Sequence, residues 1–138
     1  MHRTVVIQNS HDLVHKLCTD ILGDVKRNDF NQDDVFGIHL AIEEAMINAL
    51  KHGNKQDPLK QIIVEYSITP DTFDISIVDE GSGFKPNSVP DPRCGDNLYK
   101  ATGRGMLLMR AYMDSVEYNE AGNRVHMVKH AAKLKNEK

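Results

Sequence analysis

The sequence predicts an α+β protein: a two-layer α/β sandwich in which a mixed, mostly antiparallel sheet carries helices on one face. Three observations lead there. Apolar residues recur with the helical period of about 3.6 through residues 11–54, then with the strand period of about 2 through residues 61–79. The helical stretches follow one another in the chain instead of alternating with strands, which argues against a doubly wound parallel sheet. Neighbouring strand patterns are joined by short turn sequences, so antiparallel pairing dominates. At 138 residues the chain reads as a single domain spanning 1–138, and roughly two thirds of the unfolded surface can be buried at this size.

Thr4–Gln8 is a short β-branched strand. Ser10 is a good N-cap for a helix from His11 to Lys26, whose apolar stripe is Leu13, Val14, Leu17, Cys18, Ile21 and Val25. Asn28–Asn31 is a turn. Asn31 or Gln32 opens a second helix with Asp33 and Asp34 in its first turn, where negative charge suits the helix dipole. That helix is expected to run to Gly53, which takes the terminating C′ position. Gln61–Thr69 alternates, with Ile62, Val64, Tyr66 and Ile68 on one face. Pro70-Asp71-Thr72 turns the chain into Phe73–Asp79, where Phe73, Ile75 and Ile77 share a face. Between Asp79 and Arg104 the periodicity disappears and glycine and proline accumulate. A loop of that length in a compact domain is usually functional or disordered. Gly105–Met113 reads as a helix, and Ser115–Asn119 and Arg124–Lys129 as a hairpin.

The second helix has two dissimilar faces. On a wheel of about 100° per residue, Val35, Ile38, Ile42, Ala45, Met46, Ala49 and Leu50 share one arc and form the core face. Glu44, Asn48 and Lys51 lie opposite, at i, i+4 and i+7. A carboxylate, a carboxamide and an ammonium so placed suit Mg²⁺ and a phosphate, and equally fit a solvated helix surface. Asp79-Glu80-Gly81-Ser82-Gly83 closes a strand with an acid followed by two glycines. Such a carboxylate can accept from an adenine amine while glycine lets backbone pass close to a flat ring, though the same residues also make an ordinary turn. Thr102-Gly103-Arg104-Gly105-Met106 opens a helix, where backbone N–H groups and Arg104 can face an anion. Neither the Walker A nor the Rossmann spacing is present.

Together, EEAMINALKHGN at 43–54, DEGSGF at 79–84 and GRGMLLMRAYMD at 103–114 resemble the Bergerat-type ATP-binding fold shared by gyrase-type ATPases, Hsp90 and histidine kinases. The likeness is closest to its small stand-alone branch, the anti-sigma factor serine/threonine kinases. It implies ATP and Mg²⁺ as cofactors, with Asn48 ligating the metal and Asp79 reading the adenine amine. Gly81 and Gly83 would lie against the ring. Lys51, His52, Thr102, Gly103, Arg104, Gly105 and Met106 would line the rest of the nucleotide site, under a lid at about 85–102. Glu44 would be the general base toward a serine or threonine hydroxyl. Known family members have an arginine shortly before the first glycine of the last motif. Here Tyr99-Lys100-Ala101-Thr102 stands there, leaving Lys100 or Arg104 to supply that catalytic charge. The implied partners are a sigma factor, a STAS-type anti-sigma-factor antagonist and a second copy of the chain in a homodimer. Two other readings share the nucleotide site: a partner switch without phosphoryl transfer, and a detached catalytic domain of a histidine kinase.

Other classes are disfavoured. A net charge of −3 provides no basic field for nucleic acid. No run of about 18 apolar residues spans a membrane, and the N-terminus lacks a signal-peptide pattern, so a cytoplasmic location is expected. Cys18 and Cys94 form no CxxC pair. His11 and His15 share a helix face but have no third metal ligand nearby in sequence.

Overall fold

The computed structural model describes residues 1–81 and 106–132. The chain begins with β1 (His2–Gln8), α1 (His11–Lys26) and α2 (Gln32–Ile47). A π-helical turn, Asn48–Gly53, continues directly from α2. Next come β2 (Gln61–Ile68) and β3 (Thr72–Asp79), then helical residues 106–112, β4 (Ser115–Tyr118) and β5 (Arg124–His130). The five strands form one sheet in the order β1-β2-β3-β5-β4. Every pairing among them is antiparallel.

Register puts the predicted alternation to use. Val5 and Ile7 pair with Val64 and Ile62, which pair in turn with Ile77 and Asp79. Side chains opposite one another in a ladder share a face. Val125 and Met127 extend that face onto β5, and Val116 onto β4. All of these except the partly buried Val5 and Ile7, and the polar Asp79, are buried apolar core, packed together with Ile21, Ile38, Ile42, Met46 and Leu50 from the helices. The core therefore lies between the sheet and one helical layer. Leu13 departs from the predicted stripe of α1 and is exposed.

The helices are capped as their sequences dictate. Ser10 accepts the Leu13 N–H, and Asn31 makes a reciprocal capping box with Asp34. Asp34 is buried and also accepts the Ala132 N–H at 3.0 Å, which ties the start of α2 to the chain beyond β5. Helical residues 106–112 lie across α2 at Gly37, where a Cβ would come within 3.0 Å of Tyr112. Tyr112 meets Phe36 edge-on at 5.9 Å. Asp24, at the end of α1, accepts from Tyr66 at 2.8 Å and from Arg27 at 2.5 Å, joining that helix to β2.

The second helix is not one α-helix through Gly53. α-Geometry holds as far as Asn48, whose N–H donates to Glu44 and Ala45 carbonyls, and the winding then widens. Gly53 does not take the left-handed backbone expected of a C′ glycine; positive φ falls at Lys55 (52°) and Gln56 (60°). Gly53 has another reason to be glycine, which belongs to the site.

Candidate functional site

The last turn of α2, the π-helical turn and the ends of β3, β4 and β5 enclose a narrow cavity. Ala45, Asn48, Ala49, Gly53, Ile77, Asp79, Tyr118, Gly122, Asn123 and Val125 line it. Its volume is about 20 Å³, enough for a water-sized group, so a flat heterocycle requires it to widen. A larger recess of about 500 Å³ lies elsewhere, between the end of α1 and the start of α2, and holds none of the predicted site residues.

Asp79 forms one wall. Its backbone N–H donates to the Asn123 carbonyl at 3.0 Å, and its Oδ1 accepts the Gly81 N–H at 2.8 Å. Burial raises its carboxyl pKa above the ordinary value, while the Gly81 N–H and the Lys60 charge pull the other way. Gly53 and Gly81 press against this strand end. A Cβ on Gly53 would collide with the Asp79 carboxylate, and one on Gly81 with the Gly53 carbonyl. Close approach, not a special φ, explains both glycines.

Asn48 forms the opposite wall. It is 7 % exposed, and its Nδ2 has no hydrogen-bond partner among the described atoms. A buried amide left in that state costs free energy, so its retention needs a reason. The amide lies near enough to the Tyr118 hydroxyl to affect its titration. Burial pushes that hydroxyl above the usual tyrosine range; the Asn48 amide opposes the shift, the Asp79 charge adds to it, and Arg110 opposes it.

Glu44 is half-buried, one α-helical turn before Asn48. Its neighbour Glu43 faces differently, pairing with His39 at 3.2 Å and lying close enough to Cys18 to help burial push that thiol up to about 12. Lys51 is exposed, and His52 is half-buried with its pKa lowered by burial and by Lys51. The winding changes from α to π between Asn48 and Lys51. The structure thus brings together Asn48, Asp79 and Gly53, with Gly81 packed on Gly53. Met106 packs half-buried against the core at the head of the helical residues 106–112. Gly83, Lys100, Thr102, Gly103, Arg104, Gly105 and the expected lid at 85–102 lie outside the described residues.

Residues 8–129 match the histidine kinase-like ATPase domain family. The chain belongs to that family. It is 30% identical over 116 residues to an anti-sigma F factor of Oceanobacillus iheyensis, covering 78% of this chain and 77% of that protein. An anti-sigma F factor of Clostridium perfringens is 33% identical over 95 residues, 64% of this chain and 65% of its own. The serine-protein kinase RsbW of Listeria innocua is 27% identical over 115 residues, 78% and 73% respectively. Family membership accounts for the α+β sandwich and for ATP as the ligand class of the domain.

Several lining residues were not legible beforehand. Ala45 and Ala49 read as core, yet they border the cavity on either side of Asn48; their small size was the available signal. Tyr118 and Asn123 enter only through the β4–β5 hairpin. There the Asn119 Oδ1 accepts N–H groups of Gly122, Asn123 and Arg124 at 2.8, 3.0 and 3.2 Å. Gly122 takes φ 78°, a left-handed turn that sequence alone placed only as part of a four-residue connection. Among the described residues no cluster of His, Cys, Asp and Glu could hold a metal, and no helix is long and apolar enough to cross a membrane.

Proposed function

We propose that this chain binds Mg-ATP between Asn48 and Asp79 and transfers phosphate to a serine or threonine of a partner protein, acting as an anti-sigma factor kinase. The observation that carries the reading is the buried Asn48 amide, unpartnered among the described residues and lining one cavity with Asp79, one turn after Glu44, in a histidine kinase-like ATPase domain. A carboxamide oxygen is a hard donor suited to Mg²⁺, and the amide nitrogen is free to donate to phosphate. When bound, ATP supplies the phosphoryl group and Mg²⁺ neutralises its oxygens.

The chain's residues divide the remaining work. Asp79, held by Asn123 and Gly81, accepts from the exocyclic amine of adenine. Gly53, Gly81 and Gly83 leave room for the ring. Asn48 anchors the metal, and Lys51, His52, Thr102, Gly103, Arg104, Gly105 and Met106 surround the phosphates. Glu44 accepts the proton of the attacking hydroxyl. Lys100 or Arg104 balances charge on the transferred group. The relatives' names support a sigma factor as a partner and a protein serine as the phosphate acceptor, and the resemblance adds an antagonist protein as the bearer of that serine. The reading extends to a cytoplasmic homodimer.

The test uses the purified chain, γ-labelled ATP and candidate antagonist proteins. Label is expected on serine or threonine, and Glu44→Gln is expected to slow transfer by about 10²–10⁴ while ATP affinity stays within about threefold. ATP binding without label on any candidate would favour a nucleotide-dependent switch. Acid-labile label on histidine would assign the chain to histidine phosphorylation.

A further inference from the structure

Asn54 follows the π-helical turn and is completely buried. It lines neither of the two cavities described above and carries no expected contact with nucleotide, yet its side chain bonds to three other parts of the chain. Its Oδ1 accepts the Glu80 N–H at 2.8 Å, immediately after Asp79. Its Nδ2 donates to the Asn9 Oδ1 at 3.1 Å and to the Gln61 carbonyl at 3.0 Å. Asn9, itself buried between β1 and α1, donates from Nδ2 to the Leu50 carbonyl at 3.3 Å, inside the π-helical turn. The Asn54 backbone N–H returns to Ala49 at 2.8 Å, next to Asn48. Both ends of this carboxamide therefore have partners, the oxygen on the residue that follows Asp79 and the nitrogen on Asn9 and on the first residue of β2.

We infer that Asn54 is a positioning residue for the candidate nucleotide site, setting Asp79 against the Asn48 helix. The inference rests on the reading of Asp79 as the group that recognises the base. Without the Asn54 oxygen the Glu80 N–H loses this part-buried partner. Among the described residues, the strand end carrying Asp79 then loses its one side-chain bond to the turn that follows Asn48. The Gly53–Gly81 contact beside it is close backbone packing with no directional bond, so Asn54 supplies the orientation and the glycines supply the proximity. A hydrophobic residue of similar size fills the space but offers no acceptor to the Glu80 N–H. Base recognition should suffer; recognition of the phosphates, from the Asn48 side, should not.

The experiment measures affinity for Mg-ATP, adenosine and Mg-tripolyphosphate in the full chain, at a temperature where each variant is folded by circular dichroism. Asn54→Ala is expected to weaken ATP and adenosine about tenfold and leave tripolyphosphate unchanged. Asn54→Asp keeps the acceptor for Glu80 and is expected to retain more ATP affinity than Asn54→Ala, although it loses both donated bonds and is less stable. If Asn54→Ala does not fold, Asn54→Ser replaces it; serine is too short to reach Glu80 and must show the same base-specific loss. Asp79→Asn is the control for the underlying reading. If Asp79→Asn weakens ATP while the Asn54 variants bind all three ligands like the parent, Asn54 is merely structural and the inference is overturned. Equal loss of ATP and tripolyphosphate also overturns it. If Asp79→Asn leaves ATP binding intact, the base assignment itself has failed, and the role of Asn54 falls with it.

Discussion

Asp79 and Asn48 face the same cavity, yet the protein holds them in opposite ways. Asp79 is tied by backbone: its N–H to Asn123, its carboxylate to Gly81, its neighbour Glu80 to Asn54, with two glycines in close contact beside it. Asn48 is held by its place in a helix, and among the described residues its amide nitrogen has no hydrogen-bond partner, with the Tyr118 hydroxyl close by. One wall of the site is therefore part of the fold's own bonding, while the other keeps a buried amide that is unsatisfied among the described residues. Mutations at the first wall should disturb folding and binding together. Mutations at the second should separate them.

The harshest break in this contrast is Gly81→Ala. Its Cβ would meet the Gly53 carbonyl, backbone against backbone, where no flexible side chain can yield. We expect a loss of about 2–3 kcal/mol in stability, since overpacked contacts of this kind force the main chain to shift. ATP affinity should fall with it. Urea unfolding and calorimetric titration measure the two effects. An unchanged unfolding midpoint would mean that this wall is not locked as described.

Asn48→Ala sharpens the comparison from the other side. ATP affinity is expected to drop by about a hundredfold or more, because a metal ligand and a phosphate donor go together. Stability should stay level or rise by up to about 1 kcal/mol, because an unsatisfied buried amide is removed. Thermal melting without nucleotide and equilibrium dialysis with Mg-ATP test both halves. A variant that is strongly destabilised yet binds ATP normally would reverse the assignment, making Asn48 a structural residue.

The same contrast explains what the sequence revealed. Strict alternation in β2 and β3 read correctly because one face is buried, and a one-residue slip would expose every core side chain. The caps at Ser10 and Asn31 read correctly because capping is local chemistry. Asn48 and Asp79 were visible because each sits in a short motif. What stayed hidden depends on distant parts of the chain. Gly53 looked like a helix stop, but its glycine is required by Asp79, 26 residues later. The Asn54–Asn9 bond spans 45 residues and has no motif on either side. The change to π winding at Asn48 carries no compositional signal either, so a wheel of constant pitch does not describe the turn from Asn48 to Lys51.

Acidity provides the gentlest test of the difference between the walls. Burial raises the Asp79 pKa above the ordinary carboxylate value, the Gly81 N–H and Lys60 offsetting part of the shift. A raised pKa means the folded chain holds this proton more tightly than the unfolded chain. The contribution to stability is thus fully present below the ordinary value and is lost as pH rises through the raised one. Binding runs the other way, because only the ionised carboxylate accepts cleanly from an adenine amine. ATP affinity in the parent should therefore begin to fall, as pH is lowered, at a pH above the ordinary carboxylate range, by up to about tenfold. Tripolyphosphate, which offers no base to Asp79, should show only the change due to its own terminal phosphates, the same in the parent and in Asp79→Asn. Asp79→Asn should lose the step for ATP as well, and should not become less stable relative to the parent as pH rises through the raised pKa. A step for ATP that persists unchanged in Asp79→Asn would show that Asp79 is not the group whose acidity governs base recognition.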